Sequence, residues 1–152
     1  MSELKTGTWI VIADSEKALF LENVGDADFP HFQVLRKKTQ ENPADHEQGT
    51  DRPGRFNDGP SVQRSAVAET DWHALAKERF ADELAEILNA RALKSDFDHL
   101  VIVASPTVLG MLRKHLHSET QKRVVAELPK NLTHEPLDRI EEHVREDLKN
   151  VA

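Results

Sequence analysis

The sequence predicts a single α/β domain built on a mixed five-stranded sheet, with an antiparallel N-terminal meander and three main helices. Three observations predict it. The first third carries three short β-branched runs with no helical period between them; the second half alternates strand and helix patterns; and 152 residues suffice for one buried core without cross-links. Residues 1–8 are expected as a flexible lead. Residues 9–149 are expected to form the domain, including a long loop over residues 39–69.

The first strand is "WIVIA", Trp9 to Ala13, a short run rich in β-branched side chains and closed by Asp14 and Ser15. "ALFLENV", Ala18 to Val24, follows closely enough to pair with it as a hairpin. After Gly25-Asp26, "HFQVL" from His31 to Leu35 supplies a third strand and completes the meander. From Lys38 to about Glu69 no period holds. Pro43, Gly49, Pro53, Gly54, Gly59 and Pro60 punctuate this stretch too densely for a regular element, so it is expected as loop.

A long helix is expected from Thr70 or Asp71, with Trp72, Ala76, Phe80, Leu84, Ile87 and Leu88 on one face and Arg91 and Lys94 near the end, where the dipole favours cations. "HLVIVA", His99 to Ala104, reads as a continuous apolar strand. Ser105-Pro106 then supplies an N-cap and a first helical residue for a helix to about His117, buried through Val108, Leu109, Leu112 and Leu116. Gly110 is a mild cost inside it unless a neighbour packs closely there. "RVVAEL", Arg123 to Leu128, is the fifth strand, and Pro136 opens a last helix with Leu137, Ile140, Val144 and Leu148 on one face.

Charge narrows the partners. The chain has 20 Lys+Arg against 27 Asp+Glu, a net charge of −7, which disfavours a surface that binds polyanions throughout but leaves room for a local basic patch. Between His31 and Ala66 six basic residues face five acidic ones, so this window is +1 and the remainder is −8. Arg36, Lys37, Lys38, Arg52, Arg55 and Arg64 are therefore the candidate anion-binding residues, with arginine forks on the "DRPGR" turn suited to bidentate phosphate or carboxylate contacts. Their bland reading is a set of solvated loop charges partly paired with Asp51 and Asp58.

Ser105 and Thr107 are a second candidate, because free amides where a strand feeds a helix can hold an anion. The missing Gly-rich cradle favours simple capping.

No cysteine is present, which removes thiolate nucleophiles, disulfides and cysteine-ligated zinc. His115 and His117 are two apart on a helix and diverge, and no HExxH pattern occurs, so no metal and no cofactor are expected. A nuclease would want carboxylates converging at strand ends; Asp14 ends the first strand, but the fourth ends in Ala104-Ser105. His73 lacks an evident nucleophile or orienting acid, and no GxSxG is present. No catalytic residues are assigned.

"MSELKTGTWIVIADSEK" lacks a positive region followed by an apolar stretch, and no run approaches the roughly 18 apolar residues of a spanning helix. A cytoplasmic protein without membrane association is expected, and the sequon-like Asn131-Leu132-Thr133 then has no glycosylation meaning.

The ordered set "WIVIADSEKALFLE", "DRPGR", "HALAKERFADELAEIL", "FDHLVIVASPTVLGMLRKHL" and "RVVAELPKNLTH" resembles the bacterial host-attachment protein family over Trp9 to about Leu148. That resemblance implies a role in attachment to host cells, most simply an indirect cytoplasmic one. More remotely, the order of elements is similar to the middle domain of archaeal and eukaryotic peptide release factors and Pelota-type proteins, which implies a ribonuclease-H-like mixed sheet and a link to translation. Release factors carry a Gly-Gly-Gln tip in the loop before the long helix. Here Asp58-Gly59-Pro60 and Gln63 stand instead, so peptidyl-tRNA hydrolysis is not carried over.

The sequence therefore points to a noncatalytic binding protein with RNA, the ribosome or a protein as partner. A metal-dependent phosphoester or RNA hydrolase using Asp14 and His73, and an exported adhesion factor, are the alternatives. Oligomeric state is left open.

Overall fold

The computed structural model describes residues 4–40 and 59–150, and of residues 59–73 the helical backbone alone. Among the described residues there are five strands and four helices. In chain order these are β1 (Trp9–Ala13), β2 (Lys17–Asn23), β3 (Phe32–Thr39), α1 (Gly59–Leu93), β4 (Leu100–Val103), α2 (Pro106–His115), α3 (Ser118–Arg123), β5 (Val124–Leu128) and α4 (Leu137–Asn150). The sheet order is β3-β2-β1-β4-β5. β1, β2 and β3 are antiparallel neighbours, while β4 runs parallel to both β1 and β5, giving the mixed sheet that the release-factor resemblance implies.

Side-chain alternation sorts the sheet into two buried faces. Val11, Ala13, Ala18 and Phe20 pack on one side with Phe80, Leu84 and Leu88 of α1 and with Val108, Leu109 and Leu112 of α2. Ile10, Ile12 and Leu21 face the other way and meet Ile140, Val144 and Leu148 of α4. Each fully buried Leu or Ile contributes roughly 1.5–3 kcal/mol, so helices on both faces are what keep this apolar sheet from water. β4 is buried at all four positions, as its unbroken "LVIV" run requires.

Four boundaries differ from the sequence reading. The long helix begins at Gly59 rather than Thr70 or Asp71, so residues 59–69 of the expected loop are helical. Pro60 stands in the first turn, where its missing N–H would have had no helical partner anyway, and so it does not break the helix. β3 continues through Arg36, Lys37 and Lys38 to Thr39 instead of stopping at Leu35. It is an edge strand, where exposed cations are tolerated and discourage pairing with other chains. "SETQKR", a six-residue polar segment, forms the additional helix α3 and takes Arg123 from the expected fifth strand. Leu4, expected in a flexible lead, is buried in the core beside α4.

Local capping explains two ends. Ser95 has φ 57°, and the amides of Ser95 and Asp96 donate to the carbonyls of Ala92 and Arg91, at 3.0 Å each, a Schellman closure of α1 with serine in the left-handed position. The turn brings Phe97 onto Trp9, ring centroids 5.0 Å apart. Ser105 is the N-cap of α2: its hydroxyl accepts from the Val108 amide at 3.4 Å. Within α2, a Cβ on Gly110 would meet nothing within 4 Å, so no close neighbour offsets its entropy cost. Gly110→Ala is accordingly expected to stabilise the fold by about 0.5–1 kcal/mol, read as a shift in the urea midpoint at unchanged slope.

Candidate functional site

Strand alternation divides the basic run between the two faces of the sheet. Lys38 pairs with Ala18 in register, and its ammonium lies 3.2 Å from Glu83 Oε1 and 5.9 Å from the centroid of Phe80, both on α1. Lys38 thus serves the α1 side. Arg36 pairs with Phe20 and lines a cavity of about 250 Å³ with Trp9, Leu35, Ile87 and Arg91 on that same side. The register shifts there, with Leu35 the extra residue of a β-bulge that adjusts the edge where Arg36 emerges.

Lys37 faces the other way. It pairs with Leu19 and opens, with Lys17, Thr39, His134 and Leu137, onto a cleft of about 670 Å³ between the β2–β3 edge and the start of α4. Lys17 and His134 are 117 positions apart, and neither stands in the window that charge alone singled out. The periodicity of β2, with Lys17 two residues before Leu19, is the signal that would have placed Lys17 beside Lys37.

The remaining candidates divide cleanly. Arg52 and Arg55 lie outside the described residues; Arg64 falls on α1, not in a loop, and its side chain lies outside them too. Ser105 spends its hydroxyl on the α2 cap, while Thr107 is exposed in the first turn of that helix.

Asp14 ends β1 as expected, but both of its oxygens are engaged. Oδ1 accepts from the amides of Glu16 and Lys17, each at 2.7 Å, and Oδ2 lies 2.6 Å from the Thr133 hydroxyl. Thr133 Oγ1 also lies 2.8 Å from Asn131 Oδ1, so one proton is shared. Burial alone would raise the Asp14 pKa; the hydrogen bonds from Thr133, Glu16 and Lys17, together with the nearby His134 charge, outweigh it and hold the carboxyl below its ordinary value. The sequon-like triplet is thereby a loop staple between the β5–α4 connection and the β1–β2 hairpin.

His115 is not paired with His117. Its Nε2 lies 3.2 Å from Glu78 and its Nδ1 3.5 Å from Asp82, one turn apart on α1. Among the described residues no group of three or more His, Cys, Asp or Glu is placed to hold a metal ion, and no helix is long and apolar enough to cross a membrane. His73 lies on α1, its side chain outside the described residues.

Comparison with known proteins identifies one family. The model of bacterial archaeo-eukaryotic release factor family 12 matches residues 7–144, from the approach to β1 into α4. No curated protein matches the chain.

Proposed function

The chain belongs to bacterial archaeo-eukaryotic release factor family 12, and from that premise we propose that it is a noncatalytic cytoplasmic protein that binds RNA or the ribosome. The observation that carries the reading is the family match across nearly the whole domain, which joins the chain to release-factor-like proteins. Two features support a binding role over a hydrolytic one. The release-factor glutamine tip has no counterpart around Asp58-Gly59-Pro60, and Asp14, the one acid at the end of β1, already has both oxygens in hydrogen bonds.

The contact surface on this reading is the exposed β3 edge, through Arg36 and Lys37, together with Arg52, Arg55 and Arg64. These residues meet phosphates without reading sequence. An influence on attachment to host cells, which the sequence resemblance implies, is then indirect and acts through translation.

Sedimentation of a low-salt lysate tests this. The protein is expected to travel with ribosomal fractions and to leave them after ribonuclease treatment; residence only at the top of the gradient overturns the proposal. For purified chain and single-stranded RNA, Arg52→Ala with Arg55→Ala is expected to weaken binding and to reduce the slope of log affinity against log salt by about 1.4, since each phosphate contact on a single strand contributes about 0.7. An unchanged slope removes these two arginines from the interface.

A further inference from the structure

We propose that the cleft between the β2–β3 edge and α4 is a binding site for a phosphate monoester carried on a small sugar or aliphatic body. The inference does not need the RNA reading, with which it shares Lys37, because it rests on a half-open cleft on one face of the sheet.

The cleft's volume of about 670 Å³ falls within the range of small-ligand sites, roughly 300–1,000 Å³. Register places its cations. Lys17 is opposite Thr39, and Lys37 is opposite Leu19, so the two lysines are diagonal neighbours on one face of the ribbon. Diagonal positions stand about 7–8 Å apart, a separation two long side chains can close around one tetrahedral anion. Among the described residues neither lysine has a carboxylate within 4.0 Å, whereas Lys38, one position away on the other face, is held by Glu83. Two like charges side by side repel until an anion sits between them.

His134 lines the same cleft, and α4, with 14 residues, starts at its wall, where the positive helix terminus is partly offset by Asp138 in the first turn. Glu135 is the one acid among the lining residues, and its carboxylate is 3.9 Å from His143 Nε2. Two ammonium groups, an imidazole and a helix terminus match a dianion better than a single carboxylate. The floor is aliphatic, formed by Leu19, Val34, Leu137 and Ile140, and among the described lining residues His134 is the one ring, with no Phe, Tyr or Trp on which a base would stack. A sugar or short aliphatic body therefore fits beside the phosphate, and the same group is available from a free sugar phosphate or from the phosphorylated end of an RNA.

The test is amide chemical-shift titration of the full chain with inorganic phosphate, ribose 5-phosphate, and a 5′-phosphorylated tetraribonucleotide beside its 5′-hydroxyl twin. Shifts are expected at residues 37–39 and 134–138 with each phosphate monoester, and Lys17→Gln or Lys37→Gln is expected to weaken binding about tenfold or more, the loss of one charge-assisted contact. Lys122→Gln removes the same charge from α3 and is expected to change nothing. Ribose 5-phosphate binding as tightly as the oligonucleotide supports the site with a free metabolite as its source; preference for the phosphorylated oligonucleotide supports it with an RNA terminus. No shifts with any monoester, or shifts that persist when both lysines are replaced, overturn the proposal.

Discussion

Asn23→Ala is expected to destabilise the fold by about 3 kcal/mol, more than removal of any exposed ion pair. Asn23 is fully buried at the end of β2, and its amide group holds three chain segments together. Nδ2 donates to the Leu4 carbonyl at 2.7 Å and reaches the carbonyls of Asp26 at 3.3 Å and Lys5 at 3.4 Å, while Oδ1 accepts from the amides of His31 at 2.9 Å and Gly25 at 3.1 Å. Alanine leaves the buried Leu4 carbonyl and the part-buried His31 amide without their partners, and a buried orphan costs about 1–3 kcal/mol. The neighbouring turn cannot relax to compensate: a Cβ on Gly25 would lie 2.3 Å from the Phe29 carbonyl oxygen, so the backbone there is already in contact. For a chain of this size the loss corresponds to a fall in melting temperature on the order of 10 °C. Calorimetry checks it, and a shift of less than about 2 °C would show that the N-terminal segment and the β2–β3 turn hold their places without this side chain.

How much of this architecture is legible in the sequence depends on whether a residue's role is local. β1, β4 and the buried stripes of α2 and α4 follow from short apolar runs and 3.6-residue spacing, because each needs only its own neighbours to declare it. β3 is harder to read. Its outer half, Arg36 to Thr39, is polar and exposed, and what extends it is the ladder with β2 rather than its own composition. The start of α1 is hidden by Gly59-Pro60, a pair that signals a turn inside an element yet is tolerated at a helix's first residues. Side-chain bonds spanning 19 to 119 positions, such as those of Asn23, Asn89 and Thr133, leave no periodic trace at all. The same holds for the cleft: Lys37 stands out by charge, but its companions Lys17 and His134 come together only when α4 folds across the β2–β3 ribbon.

A second hub, on the opposite face of the sheet, is expected to behave as a coupled pair. Asn89 of α1 is buried and bonds to the connection between α2 and α3. Its Oδ1 accepts from the Thr120 hydroxyl at 2.6 Å and from the His117 amide at 2.9 Å, and its Nδ2 donates to the His115 carbonyl at 3.1 Å. Asn89→Ala is expected to cost about 2–3 kcal/mol, since the gain in helix propensity of roughly 0.5 kcal/mol is small beside several unsatisfied groups. Thr120 is fully buried, so Thr120→Val, which keeps the shape and removes the hydroxyl, is expected to cost about 1 kcal/mol. In the double variant the hydroxyl that Asn89→Ala would strand is gone as well. The two losses are therefore expected to fall short of additivity by about 1 kcal/mol, a coupling that urea denaturation of the four proteins in the cycle resolves. Strict additivity would mean that the Thr120 hydroxyl finds another acceptor, and that the bonds of Asn89 to the His115 and His117 backbone carry its whole contribution.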